Sequence, residues 1–267
     1  METSQFNIFD AHFHIIDPRF PLIPNNGYLP ERYTVRDYLA RTADLGLVGG
    51  TVVSASFQGF DQDYLFDVLP RLGPGFVGVA QLPHTVSDEE ILELATAGVR
   101  AVRFNMKRGG SEDIRHLESM ARRVHELAGW HVEIYVDSGE LEELQTILCS
   151  LPAFAIDHMG LSKRGLPTLL KLVECGGKVK ASGFGRLDFD VASALRQIHD
   201  VNPESLMFGT DLPSTRAARP YSDHDLTLII ETLGETGARR VLSDNAMHFY
   251  RSEFDRAGQQ HQRTGSD

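Results

Sequence analysis

The stretch Phe9–Pro18 reads F-D-A-H-F-H-I-I-D-P and follows a short β-rich run at Phe6–Phe9. Alternate side chains of a strand face the same way. Asp10, His12 and His14 can therefore point to one side at the strand's end. The same ten residues bear on the fold. A doubly wound sheet usually carries a glycine-rich phosphate turn after its first strand, and here that place holds D-A-H-F-H. The doubly wound sheet becomes the second choice.

Outward from this point, short apolar runs alternate with amphipathic stretches. The runs are Gly50–Ser54, Phe76–Leu82, Val99–Asn105, His131–Val136, Ala153–Asp157, Lys178–Ser182 and Ser205–Thr210. Between them, Ser87–Ala97 opens with Ser87 as an N-cap and acids in the first turn. Ser111–Ala128 has apolar residues at helical spacing, and Ser138–Leu148 reads as a helix capped by Ser138. Leu166–Val173, Asp188–Ile198, Asp223–Leu233 and a terminal Ser243–Arg251 continue the alternation. Eight strand–helix repeats predict an α/β fold of the (β/α)8 TIM-barrel type. It forms a single domain over residues 1–258, with a polar tail at 259–267. The Asp17–Glu31 segment, with four prolines and two asparagines, predicts a loop over the barrel mouth.

A net charge of −11 argues against nucleic acid and anionic membranes as partners, while a local arginine pocket could still take an anion. No run of about 18 apolar residues predicts a membrane span, and Met1–Ile8 lacks a signal-peptide core. Cys149 and Cys175 have no motif spacing and read as buried thiols of a reducing cytoplasm. The expected location is cytoplasmic. Oligomeric state is left open, a homodimer included.

In such a barrel the C-terminal strand ends face the active site. There lie Asp10, His12 and His14; Ser54, Ser56 and Gln58; Arg103, Asn105, Lys107 and Arg108. On later strands lie Glu133, Tyr135 and Asp137; His158; Lys180, Ser182 and Arg186; and Asp211, followed by Arg216. An H-x-H pair alone is a weak signal. Joined to D-H after strand six and G-T-D after strand eight, it becomes an ordered set. The remaining histidines, His131 among them, read as surface or structural.

These motifs resemble the amidohydrolase superfamily, in particular its 2-pyrone-4,6-dicarboxylate lactonase-like branch. The similarity runs through D-A-H-F-H at Asp10, V-R-F-N at Val102, I-D-H-M-G at Ile156, M-F-G-T-D-L-P at Met207 and S-D-N-A-M-H-F-Y at Ser243. Metal-dependent members add a histidine on strand five and, if binuclear, a bridging acid or modified lysine on strand four. Tyr135 and Arg103 stand in those regions here, and neither suits Zn²⁺. The reading favoured is metal-free. A single Zn²⁺ on His12, His14, His158 and Asp211 is the alternative.

The resemblance implies hydrolysis of a carboxylated lactone. Asp211 would act as general base. His12, His14 and His158 would polarise the carbonyl, protonated under the influence of Asp10 and Asp211. Arg103 and Arg186 would hold substrate carboxylate, with Arg108 sharing that role and Ser54, Ser56 and Tyr135 in contact with substrate. The competing classes are a mononuclear metal-dependent hydrolase or non-oxidative decarboxylase, and a non-catalytic binding protein on the same scaffold.

Overall fold

The computed structural model describes residues 5–251. The boundary at 258 and the tail at 259–267 lie outside them. Eight parallel strands hydrogen-bond in chain order. They are β1 Ile8–Phe13, β2 Leu47–Val53, β3 Phe76–Ala80, β4 Val99–Asn105, β5 His131–Tyr135, β6 Phe154–Ile156, β7 Lys178–Ala181 and β8 Leu206–Phe208. The helices are α1 Val35–Arg41, α2 Asp63–Leu72, α3 Asp88–Ala97, α4 Leu117–Ala128 and α5 Gln145–Ser150. They continue as α6 Leu166–Glu174, α7 Val191–Val201, α8 His224–Arg239 and α9 Asn245–Arg251. This is the (β/α)8 barrel, as a single domain.

The barrel closes at the C-terminal ends of its strands. Beyond β8, the Asp211 amide donates to the His12 carbonyl at 2.7 Å, and the His14 amide donates to the Leu212 carbonyl at 2.8 Å. Gly209 permits this approach: a Cβ there would sit 2.7 Å from the His12 Cβ. The G-T-D motif thus owes its glycine to the seam between the last strand and the first.

Core residues explain the elements. β1 is buried at every position, as expected of a parallel strand covered on both faces. α4 turns Leu117, Met120, Ala121 and Val124 inward. α3 is capped as expected, Ser87 Oγ accepting from the Glu90 amide at 3.1 Å.

Four local readings change. β1 starts at Ile8 and continues to Phe13, because its pairing with β2 extends to Phe13 opposite Val52. The segment after β5 is capped by Asp137, which accepts from the Gly139 amide, whereas Ser138 Oγ donates to the Ser162 carbonyl. Helices α1 and α2 add to the pattern; Pro70 inside α2 masks an otherwise amphipathic stretch with Tyr64, Leu65, Val68, Leu69 and Leu72 buried. The two cysteines are not free thiols. Cys149, at the end of α5, and Cys175, just after α6, form a disulfide with Cα atoms 5.4 Å apart. Adjacent helices bring together residues 26 apart in sequence, which spacing alone does not show. The thiol-based argument for a reducing compartment falls with this pairing. Among the described residues no helix is long and apolar enough to cross a membrane.

Candidate active site

Asp211 occupies the centre of the barrel mouth. Its Oδ2 is held by Arg186, at 2.7 Å from Nε and 2.6 Å from Nη2. Its Oδ1 is buried and has no hydrogen-bond partner. Three imidazole Nε2 atoms surround that oxygen, at 3.7 Å from His14, 3.8 Å from His158 and 4.0 Å from His12. The four residues expected to form one cluster do so. Backbone strain contributes to the placement: His158 and Asp211 have φ of 49° and 59°, a region costly for residues other than glycine. Gly183, itself at φ +60°, lies so close that a Cβ would be 2.8 Å from His158 Nδ1.

The second nitrogen of each ring decides what the first can do. His14 Nδ1 is 2.7 Å from the Val53 carbonyl. A carbonyl only accepts, so Nδ1 carries the proton and a neutral His14 presents a lone pair at Nε2. His158 Nδ1 meets Ser182 Oγ at 2.9 Å, a hydroxyl able to donate or accept. His12 Nδ1 lies between Lys180 Nζ at 3.3 Å and Asp157 Oδ1 at 3.4 Å. If Ser182 and Lys180 donate, His158 and His12 carry their protons on Nε2 and aim them at the centre.

Burial reverses the expectation of protonated imidazoles. It pushes His12 down to about 3, with Asp157 pulling the other way. It also holds His158 well below the ordinary range against the attraction of Asp211. Burial alone would raise the Asp211 carboxyl, but the Arg186 guanidinium together with the His158, His14 and His12 rings outweighs it and keeps the group ionised. Asp10 does not join the cluster. Its carboxylate accepts from the Thr210 amide at 2.8 Å, Thr210 Oγ1 at 2.7 Å and Tyr38 Oη at 3.0 Å. It braces β1 against the loop after β8, and burial raises it to about 6 despite those donors.

Beneath the mouth lies a buried charge chain that the motifs did not single out. Lys180 is paired with Glu133 and lies 3.5 Å from Asp157 Oδ1. Arg103 donates to Asp157 Oδ2 through Nε at 2.9 Å and approaches it through Nη2 at 2.8 Å. Its Nη1 donates to the Ser54 carbonyl at 2.9 Å. Three of the five guanidinium N–H groups are thus committed within the protein, leaving two for a ligand. Asp157 precedes His158, so strict alternation would send them to opposite faces. The left-handed turn at His158 instead brings both to the interior.

The cavity above Asp211 has a volume of about 30 Å³ and is lined by His14, Tyr28, Ser56, Arg103, Arg108, Tyr135, His158, Arg186 and Arg216, among others. Ser56, Tyr135 and the three expected arginines are therefore present. Ser54 is not among the lining residues; its hydroxyl donates to Gln62 Oε1 at 2.6 Å and contacts Tyr64 Oη at 2.9 Å. Tyr28 comes from the Asp17–Glu31 loop, which does cover the mouth. Arg216, Asn105 and Phe57 line it too, and only Arg216 and Asn105 had a visible sequence signal, as polar residues near strand ends.

The same donor set has the spacing to take a divalent ion. Ligand atoms of His12, His158 and Asp211 lie within 4.8 Å of one another, and His14 adds a fourth at 3.7 Å from Asp211. Three imidazoles and a carboxylate suit Zn²⁺. The partnerless His12 Nε2 and Asp211 Oδ1 are atoms such an ion would take, so the residues fit.

The chain is similar to known proteins along most of its length. Residues 9–252 match the family model described as amidohydrolase. A 2-pyrone-4,6-dicarboxylate hydrolase of Comamonas testosteroni is 29% identical, over 90% of this chain and 89% of that protein. A 4-sulfomuconolactone hydrolase of Rhizobium radiobacter is 26% identical, over 91% and 89%. A Pseudomonas putida crystal structure described as a 2-pyrone-4,6-dicarboxylic acid hydrolase superposes with TM-score 0.75 at 25% identity, covering 95% of this chain and 99% of that one.

Proposed function

The chain belongs to the amidohydrolase family, and from that premise we propose that it hydrolyses a small carboxylated lactone. The class is that of 2-pyrone-4,6-dicarboxylate and the muconolactones, on which the similar proteins act. One observation carries the reading: a buried carboxylate oxygen of Asp211, free of partners, faces three imidazoles below an arginine-lined cavity.

In this reading a water between Asp211 Oδ1 and His14 Nε2 donates one hydrogen to each. Asp211 takes a proton as the water oxygen attacks the lactone carbonyl. Nε2–H groups of His12 and His158 donate to the developing oxyanion. They do so as neutral rings because Lys180 Nζ and Ser182 Oγ donate hydrogen bonds to their unprotonated Nδ1 atoms. The ring C–O bond then breaks, and the proton held by Asp211 passes to the departing ring oxygen, which stays attached to the product. Arg186 keeps Asp211 ionised and oriented. Arg103 and Arg108 orient the substrate carboxylate.

A divalent ion is the second reading, favoured by the two partnerless atoms. It would be held by His12, His14, His158 and Asp211 and would supply Lewis-acid polarisation of the carbonyl. Elemental analysis paired with a lactonase assay before and after chelator separates the two. The expected result is no stoichiometric metal and chelator-resistant opening. About one metal per chain, with activity lost on chelation, would turn the same residues into ligands.

The pH profile is a further check. Asp211 is already ionised and His12 and His158 already neutral at neutral pH. After subtraction of spontaneous hydrolysis, kcat/KM should therefore change less than about twofold between about pH 7 and pH 9. A rate falling steeply across that window would mean that a protonated imidazole is the electrophile.

A further inference from the structure

The four arginines of the inner cavity fall into two kinds. Arg103 and Arg186 have carboxylate partners, Asp157 and Asp211. Among the described residues, Arg108 and Arg216 form no ion pair. Arg216 is held instead by neutral oxygens: its Nη1 donates to Asn25 Oδ1 at 2.8 Å and its Nη2 to the Asn25 carbonyl. Its guanidinium also lies over the Tyr28 ring, 4.2 Å from the centroid. Asn25 Nδ2 in turn donates to the Arg108 carbonyl at 3.0 Å. Asn25 thus ties its own loop, after β1, to Arg216 in the loop after β8 and to Arg108 in the loop after β4.

With this tie in place the inner cavity is small. A volume of about 30 Å³ is roughly the share of one water molecule in the liquid. Small-molecule pockets begin at about 300 Å³, so a lactone cannot be seated without movement. Directly outside lies a second cavity of about 210 Å³. Arg108, Tyr135, Arg186 and Arg216 line both cavities and so form the partition between them. The outer cavity adds Lys107 and has no acidic residue in its lining. In a chain of net charge −11, such a cluster focuses positive potential at one opening. Asp137, 3.3 Å from Lys107 Nζ, offsets only part of it.

We propose that the outer cavity is a docking site for small carboxylates and that Arg216 is the gate to the inner one. A carboxylate in the outer cavity competes with Asn25 for the guanidinium. The Asn25 oxygens give the guanidinium only dipoles, whereas a carboxylate brings a full opposite charge and accepts two parallel N–H bonds, so the carboxylate prevails. Release of Asn25 by Arg216 removes the loop's tie to the loop after β8 and leaves its mouth-side end held by the Asn25 bond to the Arg108 carbonyl and the Ile23 amide on the Phe57 carbonyl, so that the Asp17–Glu31 loop lifts more readily. The identity of the substrate so admitted rests on the lactonase reading; the docking site and gate do not.

The test therefore uses no turnover. The probe is isophthalate, a planar dicarboxylate without a lactone bond. In the free protein, Arg216→Gln and Asn25→Ala should each speed amide exchange in residues 17–31 about tenfold, with exchange in β2–β7 unchanged. Stopped-flow binding then separates gate from charge. Asn25→Ala, which keeps the cation, should bind isophthalate faster than the wild type. Arg216→Gln should bind it at least tenfold more weakly. Unchanged loop exchange in both variants would overturn the gate. Failure of the wild type to bind isophthalate, or equal affinity in Arg216→Gln, would overturn the docking site. If these results hold while no lactone is opened, only the lactonase reading fails.

Discussion

Asp211→Asn is expected to lower kcat for lactone opening by about a thousandfold while changing KM little, within the 10²–10⁴ range for a positioned general base. The amide keeps the shape of the side chain but has no basic oxygen to take the proton of the attacking water. Substrate orientation survives because Arg103 and Arg108 do not depend on Asp211: Arg103 is anchored on Asp157 and the Ser54 carbonyl. Arg186 loses its charged partner, 2.6 Å away in the wild type, so isophthalate affinity and urea unfolding should be measured beside the kinetics. Those controls distinguish a lost base from a displaced arginine. Retention of kcat within tenfold, with binding intact, would remove Asp211 from the role of base.

Lys180→Met should be the most damaging change to stability. Lys180 is fully buried and stands between Glu133 and Asp157, both fully buried carboxylates. Breaking a buried pair by deleting one partner costs about 3–5 kcal/mol, because the remaining charge is stranded. Asp157 keeps Arg103; among the described residues, Glu133 keeps its contacts with Tyr250 and His131 and no lysine or arginine partner. Urea unfolding at neutral pH measures the loss. Adding Glu133→Gln to Lys180→Met should recover more than half of it, since the stranded charge is then removed as well. A loss below about 1 kcal/mol in the single variant would mean that the chain of charges is not energetically coupled.

The same chain sets the acid limit. Burial would raise Glu133 and Asp157, but Lys180 with His131 brings the first, and Arg103 with Lys180 and His12 brings the second, below their ordinary values. Groups depressed in the folded state stabilise it above their unfolded pKa of about 4, and that stability is lost as pH falls through the folded value. Asp10 acts in the opposite sense. Its folded value is raised to about 6, so its contribution is present below about 4 and is lost as pH rises through 6.

The barrel was legible because parallel strands buried on both faces must be short, apolar and regularly spaced. β4 falls on the expected residues Val99–Asn105, and the other strands lie within a few residues of theirs. His12, His14, His158 and Asp211 were legible because they end strands one, six and eight, and every strand of a barrel delivers its end to the same mouth. These properties the amino-acid sequence determined by itself. Others depended on contacts between residues distant in the chain. Asp10 looks like a fourth member of the histidine cluster until Thr210, 200 positions away, takes its carboxylate. Ser54 looks like a substrate contact until Gln62 and Tyr64 claim its hydroxyl. Cys149 and Cys175 look like thiols until two helices place them side by side. The charge state of the imidazoles was least accessible of all. Neighbouring acids favour protonation, burial opposes it, and the balance depends on how completely water is excluded. Strand order follows from local pattern, which the chain carries along its length; partner choice and solvent exclusion arise only when the barrel closes.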